Sequence, residues 1–556
     1  MRQGASGVVV PFGVLGPKMP PQRLRLIVWA VVYLVGVAYL LSLPPWEGYD
    51  EIAHYSYVQQ LGDTGELPGF ETGRLSSDVE RYLARAPAPY STTPPFDDNG
   101  GLTYRKWFRG ADDRTLPHTS PGQPRFFQPG ERSNWQAQHP WMYYALLTPV
   151  LEWTSGDSWA AQLFALRLAS WTLAFSGFAL ALTATGLAVQ TFYPALQKRF
   201  HQLALIWPLV LPGFLPEFAR MGNDALVILL LSMTWLMAIR LLVPAPSWSA
   251  YAGMGLLLGL GGMVKVTFLP VAASFSLWLL WRGLCERDAL RRYQVFGGLF
   301  LCLVVFTACV GKWYIGNLLN RGSVTGLVEL SNDAPAWFSA FAHPYEVVKG
   351  LLGIAITFVW GGTASSAYPP VVFVLPLLVP LIVFVCGSYW LVLERRPEIA
   401  MLAIFMIVAV LAGLVFYLLV RIAATGVGAG APGWYLHVLA GPLSLLLAAG
   451  WQRFAERLPA FTKVLVLVWM VYAVCFAFAI IWLQVALFTG CTFKTADSRI
   501  YAAEDWTCLL NLGGLYNRLD LLAYPAAGLA CFCLAVAIGC VAAYLWHRRL
   551  LVPGGK

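Results

Sequence analysis

The sequence predicts an all-α polytopic membrane protein with roughly 12 transmembrane helices and a large extracytoplasmic loop after the first helix. Hydrophobic residues make up 58% of the 556 positions and charged residues only 12%, a balance foreign to soluble globular domains. Apolar runs of about 20 residues recur along the chain, and each is long enough to cross a bilayer. Short clusters of Lys and Arg separate these runs, as cytoplasmic orientation signals do.

The first apolar run covers about residues 24–43, and Lys18, Arg23 and Arg25 at or just before its start predict a cytoplasmic N-terminus. The run lacks a small-residue cleavage site, so we interpret it as a retained helix rather than a signal peptide. Residues 1–23 are rich in Gly and Pro and predict a disordered cytoplasmic tail. Met19 is a second candidate start within that tail.

Residues 44–159 then form a polar segment too long for an ordinary connection, and segments of this length usually carry function. Residues 347–360 are apolar but short, and we interpret them as an interfacial or re-entrant piece. If only the next helix crosses the membrane, Glu394 to Arg396 lie in the cytoplasm. If residues 347–360 cross it as well, they do not. Eleven further helices are predicted at about 160–192, 203–215, 225–243, 251–264, 268–281, 295–315, 371–393, 399–420, 434–450, 463–488 and 521–546.

This topology divides the chain into a transmembrane core at 24–450, C-terminal helices at 451–546 and a cytoplasmic tail at 547–556. Within the C-terminal helices, an outer loop at 489–520 contains Cys491 and Cys508. An oxidising exterior favours a disulfide between them, and the alternative is a pair of free thiols.

The chain is organised around Asp50 and Glu51, which follow the first helix by a few residues, with His54 one helical turn after Asp50. Adjacent acids of this kind are often solvated loop residues. The functional interpretation is a general base at the lipid–water boundary, where partial desolvation can tune a carboxylate.

Further polar residues fall at helix ends on the same predicted side: His139 before the chain re-enters the membrane, Arg220, Asn223 and Asp224 before helix 4, and Lys265 at the tip of a short hairpin. Each has a simpler explanation, since Asp224 can cap a helix, Lys265 can snorkel and His139 can be a loop residue. Their convergence on one face of the membrane indicates a site there.

Five stretches, in this order and on these predicted sides, resemble the GT-C superfamily of integral-membrane glycosyltransferases, in particular the aminoarabinose transferase and protein O-mannosyltransferase group. The similarity covers about residues 24–450. Its motifs are Asp50-Glu51, His139-Pro140 in place of a (His/Lys)-Pro-Pro-Leu stretch, 165–170 (ALRLAS), Asn223-Asp224, and 255–260 (GLLLGL) running to Lys265.

The resemblance implies inverting transfer of a sugar from a polyprenyl-phosphate donor to an acceptor hydroxyl on the outer face. Asp50 is then the first candidate for the general base, and Glu51 is the second or orients the acceptor. Lys265 and Arg220 are candidates to stabilise the leaving phosphate, with His54 and His139 as hydrogen-bond donors. The resemblance implies no cofactor, and a divalent metal shared by Asp50 and Asp224 is not favoured.

Two stretches similar to the family, 313–317 and 433–436, have Gly316 and Trp434 where relatives often carry Arg. An inactive scaffold of the same fold is therefore one alternative. A transporter or lipid flippase is another, although internal repeats and mid-span charges, which such proteins show, are missing from the sequence. The implied partners are a lipid-linked sugar, the plasma (inner) membrane and a glycan, lipid or protein acceptor. Nucleic acid is excluded, because the net charge of +9 lies in short clusters without a basic aromatic patch.

Overall fold

A computed structural model describes residues 22–551, apart from 88, 90–102, 110–125, 205–210, 243–245, 327–335, 366–368, 396–397, 495–499, 503–506, 512 and 514–517. The disordered tail predicted at 1–23 lies almost entirely outside the described residues, and so do the last five residues of the tail predicted at 547–556.

The described chain is built almost wholly from helices, with two small two-stranded antiparallel sheets, β1 (Arg74–Ser76) with β2 (Pro129–Ser133) and β3 (Thr492–Lys494) with β4 (Ile500–Ala502). The helices, in chain order, are α1 (Gln22–Leu41), α2 (Glu51–Thr64), α3 (Ser77–Leu83), α4 (Tyr104–Arg109), α5 (Met142–Trp153), α6 (Trp159–Phe192), α7 (Gln197–Ala204), α8 (Phe214–Phe218), α9 (Asp224–Arg240), α10 (Trp248–Gly262), α11 (Phe268–Cys285), α12 (Ala289–Arg321), α13 (Pro344–Val359), α14 (Val371–Arg395), α15 (Glu398–Thr425), α16 (Ala440–Arg457), α17 (Pro459–Phe488), α18 (Thr507–Leu510) and α19 (Pro525–Leu551).

Seven helical stretches among the described residues are long and apolar enough to cross a membrane: 159–192, 268–285, 289–321, 371–389, 398–425, 433–457 and 459–488. Shorter apolar helices at 25–41 and 525–541 add to them. The predicted class, an all-α polytopic membrane protein, is confirmed.

Several predicted elements differ from the structure in detail. Residues 142–153 form a separate helix, α5, with Pro149 inside it, before the long α6 begins. The interfacial piece predicted at 347–360 is a regular helix, α13, one turn longer at its start. The predicted helix at 434–450 begins as a 3-10 helix, Gly433–Leu439, before α16. Much of the helix predicted at 203–215 lies outside the described residues.

The segment after α1 is folded where it is described, and Glu47 connects it to distant parts of the chain. The Glu47 side chain is fully buried, and the Ser365 hydroxyl donates to its Oε1 at 2.7 Å. The Tyr104 hydroxyl of α4 donates to the same oxygen, and the Ala364 amide donates to the Glu47 carbonyl at 2.7 Å. Hydrogen bonds from two distant segments, residues 364–365 and α4, therefore hold the chain just before Asp50 in place.

Helices α6 and α9 pack closely against each other. Gly177 of α6 faces the backbone of α9, where a Cβ atom would lie 2.6 Å from the Leu229 nitrogen. Small residues at such crossings let two membrane helices approach each other closely. The close contact between α6 and α9 therefore supports the starts of these two helices, which carry Arg167 and Asp224.

The chain after α17 packs against the segment after α1. Cys491 and Cys508 form a disulfide with Cα atoms 5.6 Å apart. Phe488, at the end of α17, contacts the Tyr104 ring with centroids 5.6 Å apart, and the Arg518 guanidinium lies over Phe108 at 5.8 Å. This part of the chain thereby supports α4, whose Tyr104 hydroxyl donates a hydrogen bond to Glu47.

Candidate active site

Asp50 lies at the N-cap of α2 with its side chain at the accessible surface. Its backbone φ of 61° is in the left-handed region, which few residues other than Gly adopt at low cost. The indole Nε1 of Trp135 donates to Asp50 Oδ1 at 2.9 Å. No described residue donates a hydrogen bond to Oδ2, so this oxygen is open to a proton donor from outside the protein.

Glu51, the neighbour of Asp50, has a different environment. Its carboxylate is fully buried and forms a bidentate ion pair with Arg167 of α6, with Nε–Oε1 at 2.8 Å and Nη2–Oε2 at 2.6 Å. The backbone amides of Met221 and Gly48 donate to the same two oxygens at 3.1 Å each. With both oxygens occupied, Glu51 is arranged to hold the chain around Asp50 rather than to accept a proton from an acceptor hydroxyl.

Lys265 and Asp224 form a second buried pair, between the α10–α11 turn and the first residue of α9. The Lys265 Nζ lies 2.5 Å from Asp224 Oδ2, and both side chains are at most 6% exposed. Nζ also lies 4.1 Å from the centroid of the Tyr435 ring, a cation–π distance. The pair brings two predicted site residues together. The main side-chain contact of Asp224 is this ion pair and not the helix cap offered above as its simpler explanation.

Arg220 and Glu217 form a third pair, at 2.9 Å between Nη2 and Oε2. Arg220 Nη1 donates to the Tyr49 carbonyl at 2.5 Å, directly before Asp50. Burial lowers the pKa of Arg220, but the carboxylates of Glu217, Asp224 and Asp50 outweigh it and hold the pKa above its ordinary value. The carboxylates of Glu217, Asp224 and Asp50 thus stabilise the positive charge of Arg220.

His54 and His139 are buried beside these charges. Burial lowers the pKa of His54 well below its ordinary value, and the charges of Arg220 and Lys265 lower it further. Burial also lowers the pKa of His139 to about 3, with Lys265 adding to the effect and Asp224 opposing it. Both imidazoles are therefore neutral at physiological pH. His54 Nδ1 lies 3.1 Å from the Tyr144 hydroxyl, which fixes the ring.

Asn223 is the remaining predicted site residue. It is buried at the N-cap of α9 and makes no side-chain cap hydrogen bond, and its amide nitrogen is buried without a partner. A buried amide of this kind is a donor available to a ligand.

The structure therefore gathers the predicted residues into one region, from the start of α2, the stretch before α5, the start of α9 and the α10–α11 turn. Sequence reasoning missed Glu217, Arg167, Trp135 and Tyr435 as members of the site. Arg167 carried a signal, because it is the one charged residue of α6 and lies near the start of that long apolar helix, where charges are costly and usually functional. Tyr435 lies in the family-like stretch 433–436 but was not assigned a role there, and Glu217 and Trp135 carried no signal in their local sequence.

The sequence model of the family described as dolichyl-phosphate-mannose-protein mannosyltransferase (PMT_2) matches residues 148–311. This match supports membership of the GT-C superfamily. The GT-C resemblance predicted from the sequence is thus confirmed, and the matched stretch contains Arg220, Asn223, Asp224 and Lys265. Asp50, His54 and His139 lie before it.

Among solved structures, the chain is similar to ArnT from Cupriavidus metallidurans. For the apo crystal structure the TM-score is 0.43 at 14% identity, covering 92% of this chain and 76% of that one. For the structure bound to undecaprenyl phosphate the TM-score is 0.44 at 11% identity, covering 94% and 77%. No curated protein sequence matches the chain.

Proposed function

We propose that this GT-C protein is a membrane glycosyltransferase that moves a sugar from a polyprenyl-phosphate donor to an acceptor hydroxyl on the extracytoplasmic face, with inversion at the anomeric carbon. The observation that carries the proposal is the pairing of an accessible carboxylate, Asp50, with a buried cluster of cations and neutral histidines. The match to the family model described as dolichyl-phosphate-mannose-protein mannosyltransferase supports this class of donor.

In the proposed reaction, the acceptor oxygen attacks the anomeric carbon as the bond from that carbon to the phosphate oxygen breaks. Asp50 Oδ2 takes the proton from the acceptor hydroxyl, and the donor leaves as polyprenyl phosphate. A general base in this position contributes about 10²–10⁴-fold to the rate. Attack from the face opposite the leaving group inverts the anomeric configuration.

Negative charge grows on the phosphate as it leaves, and fixed cations stabilise such charge. Lys265 and Arg220 supply this role, with neutral His54 and His139 and the buried Asn223 amide as hydrogen-bond donors. Asp224 and Glu217 keep the two cations in place before the donor binds. Glu51 contributes by holding the backbone around Asp50 through Arg167.

Asp50→Asn tests the proposal, because it keeps the shape and the Trp135 contact site but removes the base. With water in place of the acceptor hydroxyl, purified protein in nanodiscs hydrolyses undecaprenyl phosphate mannose or undecaprenyl phosphate aminoarabinose to free sugar and undecaprenyl phosphate, and this sugar release measures donor use without a known acceptor. We expect a loss of at least about 100-fold. Asp157→Asn, which changes an exposed acid between α5 and α6, is the matched control and should retain full activity.

A transporter, a flippase or an inactive scaffold predicts a different outcome. For each of these, wild-type protein releases no sugar from either donor, and Asp50→Asn leaves lipid movement across the bilayer unchanged. Such a result would reject the glycosyltransferase assignment.

A further inference from the structure

Trp135 is next to the candidate base and has no part in the family motifs described above. It opens a short 3-10 helix, Trp135–Gln138, just before His139. Its ring is partly buried, and its indole Nε1 donates to Asp50 Oδ1 at 2.9 Å. The contact joins two positions 85 residues apart.

The 3-10 helix that carries Trp135 is firmly anchored. Asn134 caps it, with Oδ1 accepting from the Gln136 amide at 2.9 Å. Asn134 Nδ2 donates to the Ala53 carbonyl of α2 at 3.1 Å, and its backbone amide donates to the Gly73 carbonyl at 2.9 Å. Ala53 follows Asp50 by three residues. The Asn134–Ala53 hydrogen bond therefore fixes the chain next to Trp135 against the chain next to Asp50.

We propose that Trp135 is a positioning and sugar-binding residue, which directs the Asp50 carboxylate through its indole N–H and presents its ring face to the transferred sugar. The inference rests on the proposed glycosyltransferase function. One carboxylate oxygen is held by the indole, so the other, Oδ2, is the one that faces the acceptor. The Trp135 ring, which is partly exposed, is held next to the Asp50 carboxylate by the same hydrogen bond.

The chemistry of the ligand follows from the ring. An aromatic face carries partial negative charge and favours the weakly positive C–H groups on the apolar side of a pyranose. Trp also offers a large rigid area and loses little conformational entropy on binding. The two roles are separable, because Phe keeps a ring but has no N–H, and Leu keeps neither.

Kinetics of sugar release from undecaprenyl phosphate mannose and undecaprenyl phosphate aminoarabinose test both roles. For Trp135→Phe we expect kcat to fall about tenfold, with KM for the donor within about twofold of wild type. The acidic limb of kcat against pH should move to higher pH, because an N–H donor to a carboxylate favours its ionised form. A solely structural Trp135 would not move that limb.

For Trp135→Leu we expect the same change in kcat and in the pH limb, together with a rise of about tenfold in KM for the donor from the lost ring. Trp153, at the end of α5 and 85% exposed, provides the matched control. Trp153→Phe and Trp153→Leu should leave kcat, KM and the pH profile unchanged. Apparent melting temperatures of all four variants show that each is folded.

A second measurement does not depend on turnover. In protein labelled with ¹⁵N at its Trp indoles, the Trp135 resonance is the one lost in Trp135→Phe. We expect its shift to change with pH in the wild type and to stay constant in Asp50→Asn.

An indole shift that titrates identically in Asp50→Asn overturns the positioning role, as does an unmoved acidic limb in Trp135→Phe. Equal KM values for the Phe and Leu variants overturn the sugar-binding role. If the wild type releases no sugar from either donor, the proposed function fails and the sugar-binding role fails with it, while the indole titration decides the Asp50 contact separately.

Discussion

The buried pair of Lys265 and Asp224 has two functions, and a single substitution affects both of them at once. Each charge compensates the other where water is excluded, and in the proposed mechanism Lys265 also faces the leaving phosphate. Breaking a buried pair by removing one partner leaves an uncompensated charge and costs about 3–5 kcal/mol. Replacing both partners avoids that cost.

We therefore expect Lys265→Met to lower the free energy of unfolding by about 3–5 kcal/mol and to abolish sugar release. The double variant Asp224→Asn with Lys265→Met should recover most of the stability but none of the activity, since the cation is still missing. Thermal unfolding and the sugar-release assay measure the two effects. Recovery of activity in the double variant would show that Lys265 serves only to neutralise Asp224.

His139 predicts a pH dependence of stability. Its pKa in the folded protein is about 3, below the ordinary value of about 6.5 for an unfolded chain. As the pH falls below about 6.5 the unfolded chain takes up a proton that the folded protein does not, so stability falls with pH. From pH 7 to pH 5 this one group contributes a loss of about 2 kcal/mol.

His139→Gln should remove that part of the pH dependence, leaving the contribution of His54, which has the same sign. Apparent melting temperatures at pH 7 and pH 5 provide the measurement. His343→Gln, which alters an exposed histidine before α13, is the control and should keep the wild-type difference. An unchanged difference in His139→Gln would mean that His139 is accessible to protons in the folded state.

Which residues belong to the site could be predicted in part. Asp50, His54, His139, Asp224 and Lys265 stood out because polar residues at the ends of apolar helices are uncommon and must have a reason. Trp135 and Glu217 could not be identified that way. Their relevance depends on a contact with Asp50 and on a bond to Arg220, and neither contact has a local sequence pattern.

At the scale of elements, the Arg167–Glu51 pair connects three helices. Arg167 of α6 holds Glu51 at the start of α2 through Nε and Nη2. Just after α1, Nη1 donates to the Leu43 carbonyl at 2.7 Å, and Nη2 also donates to the Pro44 carbonyl at 2.8 Å. This one guanidinium thus satisfies carbonyls at the end of α1 and fixes the direction in which the chain leaves the helix. The left-handed backbone at Asp50 lies between these anchored points.

We expect Arg167→Gln to destabilise the protein by about 3–5 kcal/mol, because Glu51 is left fully buried without its ion-pair partner. Arg167→Lys should recover little, since an ammonium group cannot reproduce the bidentate contact and the two carbonyl contacts together. Arg81→Gln breaks an ion pair whose arginine is 66% exposed, and a change of less than about 1 kcal/mol is expected there. Equal melting temperatures for Arg167→Gln and Arg81→Gln would contradict this account.

The long apolar helices could be predicted within a few residues, because their periodicity and basic boundaries are local properties of the sequence. The short elements could not. Helix α5 contains Pro149, which argues against a helix in the sequence, yet the surrounding chain holds it. The 3-10 start before α16 packs Trp434 on Tyr49, with ring centroids 4.9 Å apart, and that contact is invisible until the fold is known.

At the scale of the whole molecule, the decisive property is the side of the membrane on which the site lies. Our proposal places Asp50 and the disulfide of Cys491 and Cys508 in outer loops, and an oxidising exterior is where such a bond persists. The basic start of α12 lies on the side that the positive-inside rule places in the cytoplasm. Both arguments point to an extracytoplasmic site with cytoplasmic termini.

Labelling with a membrane-impermeant maleimide tests this orientation. Glu66→Cys, at an exposed position directly after α2, should react in intact cells, because α2 carries the site and faces outward in our proposal. Arg291→Cys, exposed in the first turn of α12, should react only after the membrane is permeabilised. The parent chain measures the background from its own unpaired cysteines. The opposite pattern would place Asp50 in the cytoplasm, where the proposed outward-facing transfer cannot occur, and would leave the charge cluster requiring a different explanation.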